Sequence, residues 1–72
     1  MLNHRKALYL LAKRIRELRN KKGLTLEKLA YENDISKGNL SDIENGKRSP
    51  SFYTLIKLAE GLDCSLKDLV DF

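Results

Sequence analysis

Seventy-two residues with 14 Lys/Arg, 10 Asp/Glu, one histidine, one cysteine and no tryptophan allow one domain with a modest core and no deep enclosed active site. One thiol and one imidazole exclude an internal disulfide and fall short of the four ligands of a structural zinc, so folding rests on apolar packing alone. At 42% hydrophobic and 33% charged the composition is that of a globular chain, and the longest apolar run, Ala7 to Ala12, is far below the roughly 20 residues that span a bilayer.

No leader or membrane anchor is in view and the thiol is unpaired, so the expected setting is the reducing cytoplasm. The formal net charge of +4 is unevenly spread. Residues 1–22 hold eight cations (Arg5, Lys6, Lys13, Arg14, Arg16, Arg19, Lys21 and Lys22) against Glu17 alone, while residues 23–72 hold six against nine acids. Such a chain can bind a polyanion or merely stay soluble, and position must decide between the two.

Helical spacing recurs throughout and no strand-like alternation appears. The first helix is expected from about His4 to Lys22, with Leu8, Leu11, Ala12, Ile15 and Leu18 facing inward and Gly23 as the stop. Thr25 caps a short second helix of about Leu26 to Glu32 that buries Leu29 and Ala30, and Asn33-Asp34 breaks it. Ser36 caps the third helix, Lys37 to Asn45, with Leu40 and Ile43 inward and Gly46 as its end. A basic, proline-containing loop, Lys47 to Pro50, leads to a fourth helix from Ser51 through Leu55, Ile56, Leu58 and Ala59 to Gly61 or Leu62. Ser65 with Asp68 forms a capping box for a last turn through Leu69 and Val70. Short linkers force neighbouring helices together. The expected fold is all-α, a compact five-helix bundle: one domain over 1–72, with 1–12 extending the first helix and a core of 13–70.

Asp34-Ile35-Ser36 and Asp63-Cys64-Ser65 repeat one device. Each sets a residue that tolerates the left-handed conformation, then an apolar plug, then an N-cap. Cys64 is therefore expected as a small buried hydrophobe rather than a redox group.

Two charges fall where apolar residues belong. Arg19 lies within the inward arc of helix one and Glu44 beside Leu40 and Ile43 on helix three, so an Arg19–Glu44 ion pair is expected, the alternative being that both reach to solvent. Helices two and three with their three-residue turn form a helix-turn-helix. The outer face of helix three, Lys37, Gly38, Asn39, Ser41 and Asp42, is small and polar, as suits a helix in a wet groove or an ordinary solvated face.

The stretch Gly23-Leu24-Thr25-Leu26-Glu27-Lys28-Leu29-Ala30, then Ile35-Ser36, Leu40-Ser41-Asp42-Ile43-Glu44-Asn45-Gly46-Lys47-Arg48-Ser49-Pro50 and Leu55-Ile56-Lys57-Leu58-Ala59, resembles the helix-turn-helix domain of the phage repressor and Cro family, the XRE-like regulators. The resemblance covers about residues 13 to 70, and Ile-Glu-Asn-Gly-Lys-Arg-x-Pro is its specific part. It implies a transcriptional regulator, a repressor or operon controller, that places the 36–45 helix in the major groove of double-stranded DNA, and an arginine–glutamate pair between helices one and three. Carried over, the base-reading positions are Lys37, Gly38, Asn39 and Asp42. Asp42 can accept from cytosine, exclude wrong sequences, or hold Lys37 or Arg48 in place. Phosphates are expected at Thr25 and the amides opening helix two, Leu26 among them. A second set is expected at Ser41, Asn45, the backbone around Gly46 and Lys47, the side chains of Lys47 and Arg48, and Ser51, with Tyr53 as an addition. The chain departs from the family at Leu26, where glutamine is common, and at Asp34, where glycine is usual. Gly38 either admits DNA close to the backbone or reads nothing.

Members usually bind near-palindromic operators as homodimers, with half-sites about 34 Å apart. Candidate dimer surface is Leu2, Tyr9 and Leu10 in the extension and Leu69, Val70 and Phe72 at the C-terminus. A protein-interaction module of the same fold, antitoxin-like or coactivator-like, is the alternative. An enzyme is not expected, since His4 has no paired nucleophile, and neither cofactor, metal nor membrane partner is implied.

Overall fold

Asn3 starts the chain's longest helix by accepting the Lys6 amide proton on its side-chain oxygen at 2.8 Å. The structure, a computed structural model, describes residues 2–72. It contains α1 (His4–Lys21), α2 (Leu26–Glu32), α3 (Lys37–Glu44), α4 (Phe52–Gly61) and α5 (Leu66–Leu69), and no strand among the described residues. Eighteen residues at about 1.5 Å rise make α1 about 27 Å long, and it is the only element with the length to account for most of the 35 Å axis of the molecule. No helix among the described residues is long and apolar enough to cross a membrane.

The caps at Thr25, Ser36, Ser51 and Ser65 accept amide protons from Lys28, Asn39, Thr54 and Asp68 at 3.0 to 3.1 Å. Each satisfies one of the donors that a helix start leaves open. Only the Ser65 half of the expected capping box forms among the described residues. Ser51 precedes α4 rather than belonging to it, and Lys22 and Asn45 cap α1 and α3 from outside.

Four helix ends share one hydrogen-bond pattern. The residue after the cap is left-handed, at Gly23 (φ 71°), Asp34 (56°), Gly46 (71°) and Asp63 (53°). The next amide then reaches back to the third carbonyl from the helix end. These bonds are Leu24 to Arg19, Ile35 to Ala30, Lys47 to Asp42 and Cys64 to Ala59, at 2.9 to 3.1 Å. The pattern closes the open carbonyls of each helix. Both aspartate triplets thus turn the chain alike, though the plugs differ: Ile35 is buried while Cys64 is half-buried against the core.

The core joins Leu11 and Ile15 of α1 to Leu29 and Ala30, Ile35, Leu40 and Ile43, Leu58, Ala59 and Leu62, and Leu69. Leu8 and Leu18, expected inside, are half-buried at the edge of the α1 stripe. Leu69 is wholly buried, which removes it from the surface offered for dimerisation. Leu10 is half-buried.

Candidate nucleic-acid interface

α3 is short, eight residues, and a helix of that length is marginal alone. Its placement comes from what holds its ends. At the C-terminal end the Glu44 carboxylate, 3% exposed, is forked by Arg19: Nε donates to Oε2 at 2.9 Å and Nη2 to Oε1 at 2.9 Å. Arg19 Nη1 donates to the Leu24 carbonyl at 2.9 Å, and Arg16 donates to the carbonyl of Glu44 itself. Two arginines of α1 therefore grip the last residue of α3, the inner one in the paired, bonded form that burial demands. At the other end Lys57 of α4 donates to the Asp34 carbonyl at 2.9 Å, with its ammonium 4.5 Å from the Tyr53 ring centroid. The α2–α3 turn is thereby fixed to α4.

The outer face of α3 is open. Lys37 and Gly38 are exposed, and a Cβ at Gly38 meets nothing within 4 Å. Asn39, Ser41 and Asp42 are half-buried. Lys37 Nζ lies 3.0 Å from Glu27 Oε2 of α2, and Arg48 Nη2 lies 3.6 Å from Asp42 Oδ2. Asp42 thus lies beside Arg48. The Asn39 Oδ1 is buried with no hydrogen-bond partner.

On the α2 side, the Thr25 hydroxyl serves as cap and Leu26 is half-buried against the core, leaving its amide as the polar group available there. Glu27 occupies the same helix start. Its carboxyl is held below the usual range, first by its own backbone amide and then by Lys37. On the far side of α3 the amides of Asn45, Gly46 and Lys47 donate to Ser41, Ile43 and Asp42 at 3.0, 3.1 and 2.9 Å. The helix ending consumes them. Gly46 turns the chain, and the groups left for a phosphate are the exposed Lys47 side chain, the exposed Arg48 side chain beside Asp42, and the amides of Arg48 and Ser49. The Asn45 amide nitrogen donates to the Ser41 carbonyl at 2.9 Å, and the Ser51 hydroxyl bonds Thr54.

Sequence reasoning missed Glu27 as the partner of Lys37, Arg16 as a second hold on Glu44, and Lys57 as the tie to the turn. None carries a local signal, because each pairing depends on how two helices cross. It also passed over the exposed aromatics Tyr31 and Phe52.

The helix-turn-helix family HTH_3 matches residues 15–69. The control protein C.BamHI of Bacillus amyloliquefaciens is 38% identical over 64 residues, 88% of this chain and 79% of that protein. The HTH-type transcriptional regulator DdrOP3 of Deinococcus deserti is 41% identical over 61 residues, 85% of this chain but 47% of its own length. Among solved structures, the restriction-modification controller protein C.AhdI from Aeromonas hydrophila aligns with a TM-score of 0.84 and 35% identity, over 86% of this chain and 94% of that one.

Proposed function

The chain belongs to the HTH_3 helix-turn-helix family and is a DNA-binding transcription regulator, and from that premise we propose that it is an operon controller or repressor acting as a homodimer on a near-palindromic operator. α3 enters the major groove. Lys37 donates to guanine O6 and N7, Asn39 swings out to a base edge, Gly38 lets the backbone come close, and Asp42 aims Arg48. Thr25 and the Leu26 amide meet one phosphate, and Lys47 and Arg48, with Ser41, Asn45 and Ser51 near by, meet another. These contacts set register rather than sequence.

The observation that carries this reading is the open, small, polar face of α3 flanked by cationic side chains, on a helix braced at both ends. Pairing of two copies is supported by the exposed Val70 and Phe72 beside α5. Selection of bound duplexes from a random pool, with the mass of the complex measured in parallel, tests it. One enriched two-fold sequence and a complex of two chains per duplex are expected. No enrichment at low ionic strength, with protein concentrated enough to self-associate, overturns the reading.

The exposed Tyr31, Phe52 and Tyr53 favour a second reading, a module whose chief partner is a protein. Salt separates the two: contacts to six to ten phosphates lose about 10³–10⁵ in affinity between 50 and 200 mM salt, and an apolar interface scarcely responds.

A further inference from the structure

We infer that the N-terminal half of α1 is a second DNA-contacting surface, which binds the phosphate backbone just outside the base pairs read by α3. The inference rests on the DNA-binding reading above and extends it to residues 2–14, which lie outside the family match.

At about 100° per residue, Arg5, Lys6, Tyr9, Lys13 and Arg16 share one arc of about 100° on α1, away from the Leu11/Ile15 core stripe. Leu2, Arg5, Lys6, Tyr9 and Lys13 are exposed. No acid occurs between residues 2 and 14. Arg5, Lys6 and Lys13 make no ion pair or side-chain hydrogen bond among the described residues, whereas Lys37 and Arg48 are each held by a carboxylate. Among the described residues these cations, together with Lys47, are the ones near the interface that no carboxylate neutralises.

Its position points the same way. A Cβ at Gly46 lies 3.9 Å from both the Leu8 carbonyl oxygen and the Tyr9 Cα, so the α1 backbone rests directly against the turn that delivers Lys47 and Arg48. Arg16, on the edge of the arc, holds the last carbonyl of α3. The basic face is thus continuous with the C-terminal end of α3. From Tyr9 back to His4 the helix runs about 7 Å further from that turn. Arg5 and Lys6 take the phosphates next along from those of Lys47 and Arg48, Lys13 flanks them, and Tyr9 offers a hydroxyl and an apolar ring between.

The test uses the full chain and the duplex obtained by selection, in two lengths: trimmed at its last selected base pair, and extended by ten base pairs of arbitrary sequence on each side. Arg5→Gln/Lys6→Gln/Lys13→Gln is compared with wild type across 50–200 mM salt, with Lys67→Gln on α5 as a charge control. At about 0.9 in slope per phosphate contact, three contacts from each of two chains make wild type lose about 10³-fold more affinity over that range than the triple variant on the long duplex. On the trimmed duplex the two proteins run parallel, and Lys67→Gln follows wild type on both. Equal salt slopes for triple variant and wild type on the long duplex, while wild type binds well, overturn this inference and leave the DNA-binding reading standing. A triple variant whose self-association falls while its salt slope is unchanged assigns the face to a second copy and equally overturns it. Wild type that binds neither duplex removes both. Thermal unfolding of the triple variant is expected to match wild type, since no folded-state partner is lost.

Discussion

Glu44→Leu removes one half of a buried pair and strands the other. Arg19 keeps its bond to the Leu24 carbonyl but loses both carboxylate oxygens, in a site where its side chain is 15% exposed. Breaking a fully buried pair costs about 3–5 kcal/mol. The remaining exposure and the surviving bond set the expectation at the low end, about 3 kcal/mol. Stability of about 0.05–0.15 kcal/mol per residue gives a domain of this size roughly 4–11 kcal/mol in total, so the loss is a large share. At about 4–8 °C per kcal/mol, the midpoint of thermal unfolding, followed by circular dichroism, is expected to fall by roughly 12–24 °C. Arg19→Met combined with Glu44→Leu should recover most of it, because replacing both charges by apolar groups removes the unpaired ion. A midpoint for Glu44→Leu within about 4 °C of wild type would refute the reasoning, since Arg19 would then be finding water that its burial denies it.

Lys47→Glu is expected to weaken binding to all duplexes alike, and Asn39→Ala to change preference at one base pair by about 1–3 kcal/mol, both read from competition among variant duplexes; loss of non-specific affinity alone in both variants sinks the assignment of Asn39. Gly61→Ala drives a Cβ into the Asn33 side-chain amide, which donates to the Leu29 carbonyl. A loss of about 1 kcal/mol is expected in denaturant unfolding, since Asn33 must give up its bond to Leu29, and Gly61→Ala/Asn33→Ala is expected to lose no more, because the clash is gone. The Glu27 carboxyl has its folded value below 4.5, so the stability it contributes is complete above 4.5 and is lost as pH falls through the lower folded value. Carbon-detected titration by NMR should show its midpoint shifting up in Lys37→Met. Burial pushes the Cys64 thiol above its ordinary 9.0. The native state then holds the proton longer than the unfolded chain, so stability falls as pH rises past 9.0, and iodoacetamide at pH 8 should label Cys64 more slowly than in denaturant.

The features that sequence alone delivered are those with a local cause. Asp34 and Asp63 could be assigned left-handed turns because each stands between a helical run and an apolar–Ser pair. Arg19 and Glu44 could be matched because a charge on an apolar stripe must find a partner. The outer face of α3 is visible from its spacing. What escaped has a non-local cause. Asn33 against Gly61, Lys37 with Glu27, and Lys57 on the Asp34 carbonyl are set by crossing angles between helices, and no periodicity records them. What the Gly46 and Lys47 amides bond was hidden for a different reason: the same glycine that marks the turn also directs them back into α3. Leu69 was offered to the surface because α5 is four residues long, too short for its pattern to define a face.

The braces on α3 have a consequence for how the domain is lost. Arg16, Arg19 and Lys57 reach the helix-turn-helix from 28, 25 and 23 residues away in the chain, and eight residues cannot hold a helix unaided. α3 is therefore not expected to survive once α1 or α4 has detached. Local opening and global unfolding should therefore converge for its amides in hydrogen exchange, and a cellular protease that catches the open chain finds every copy either fully competent or wholly inert.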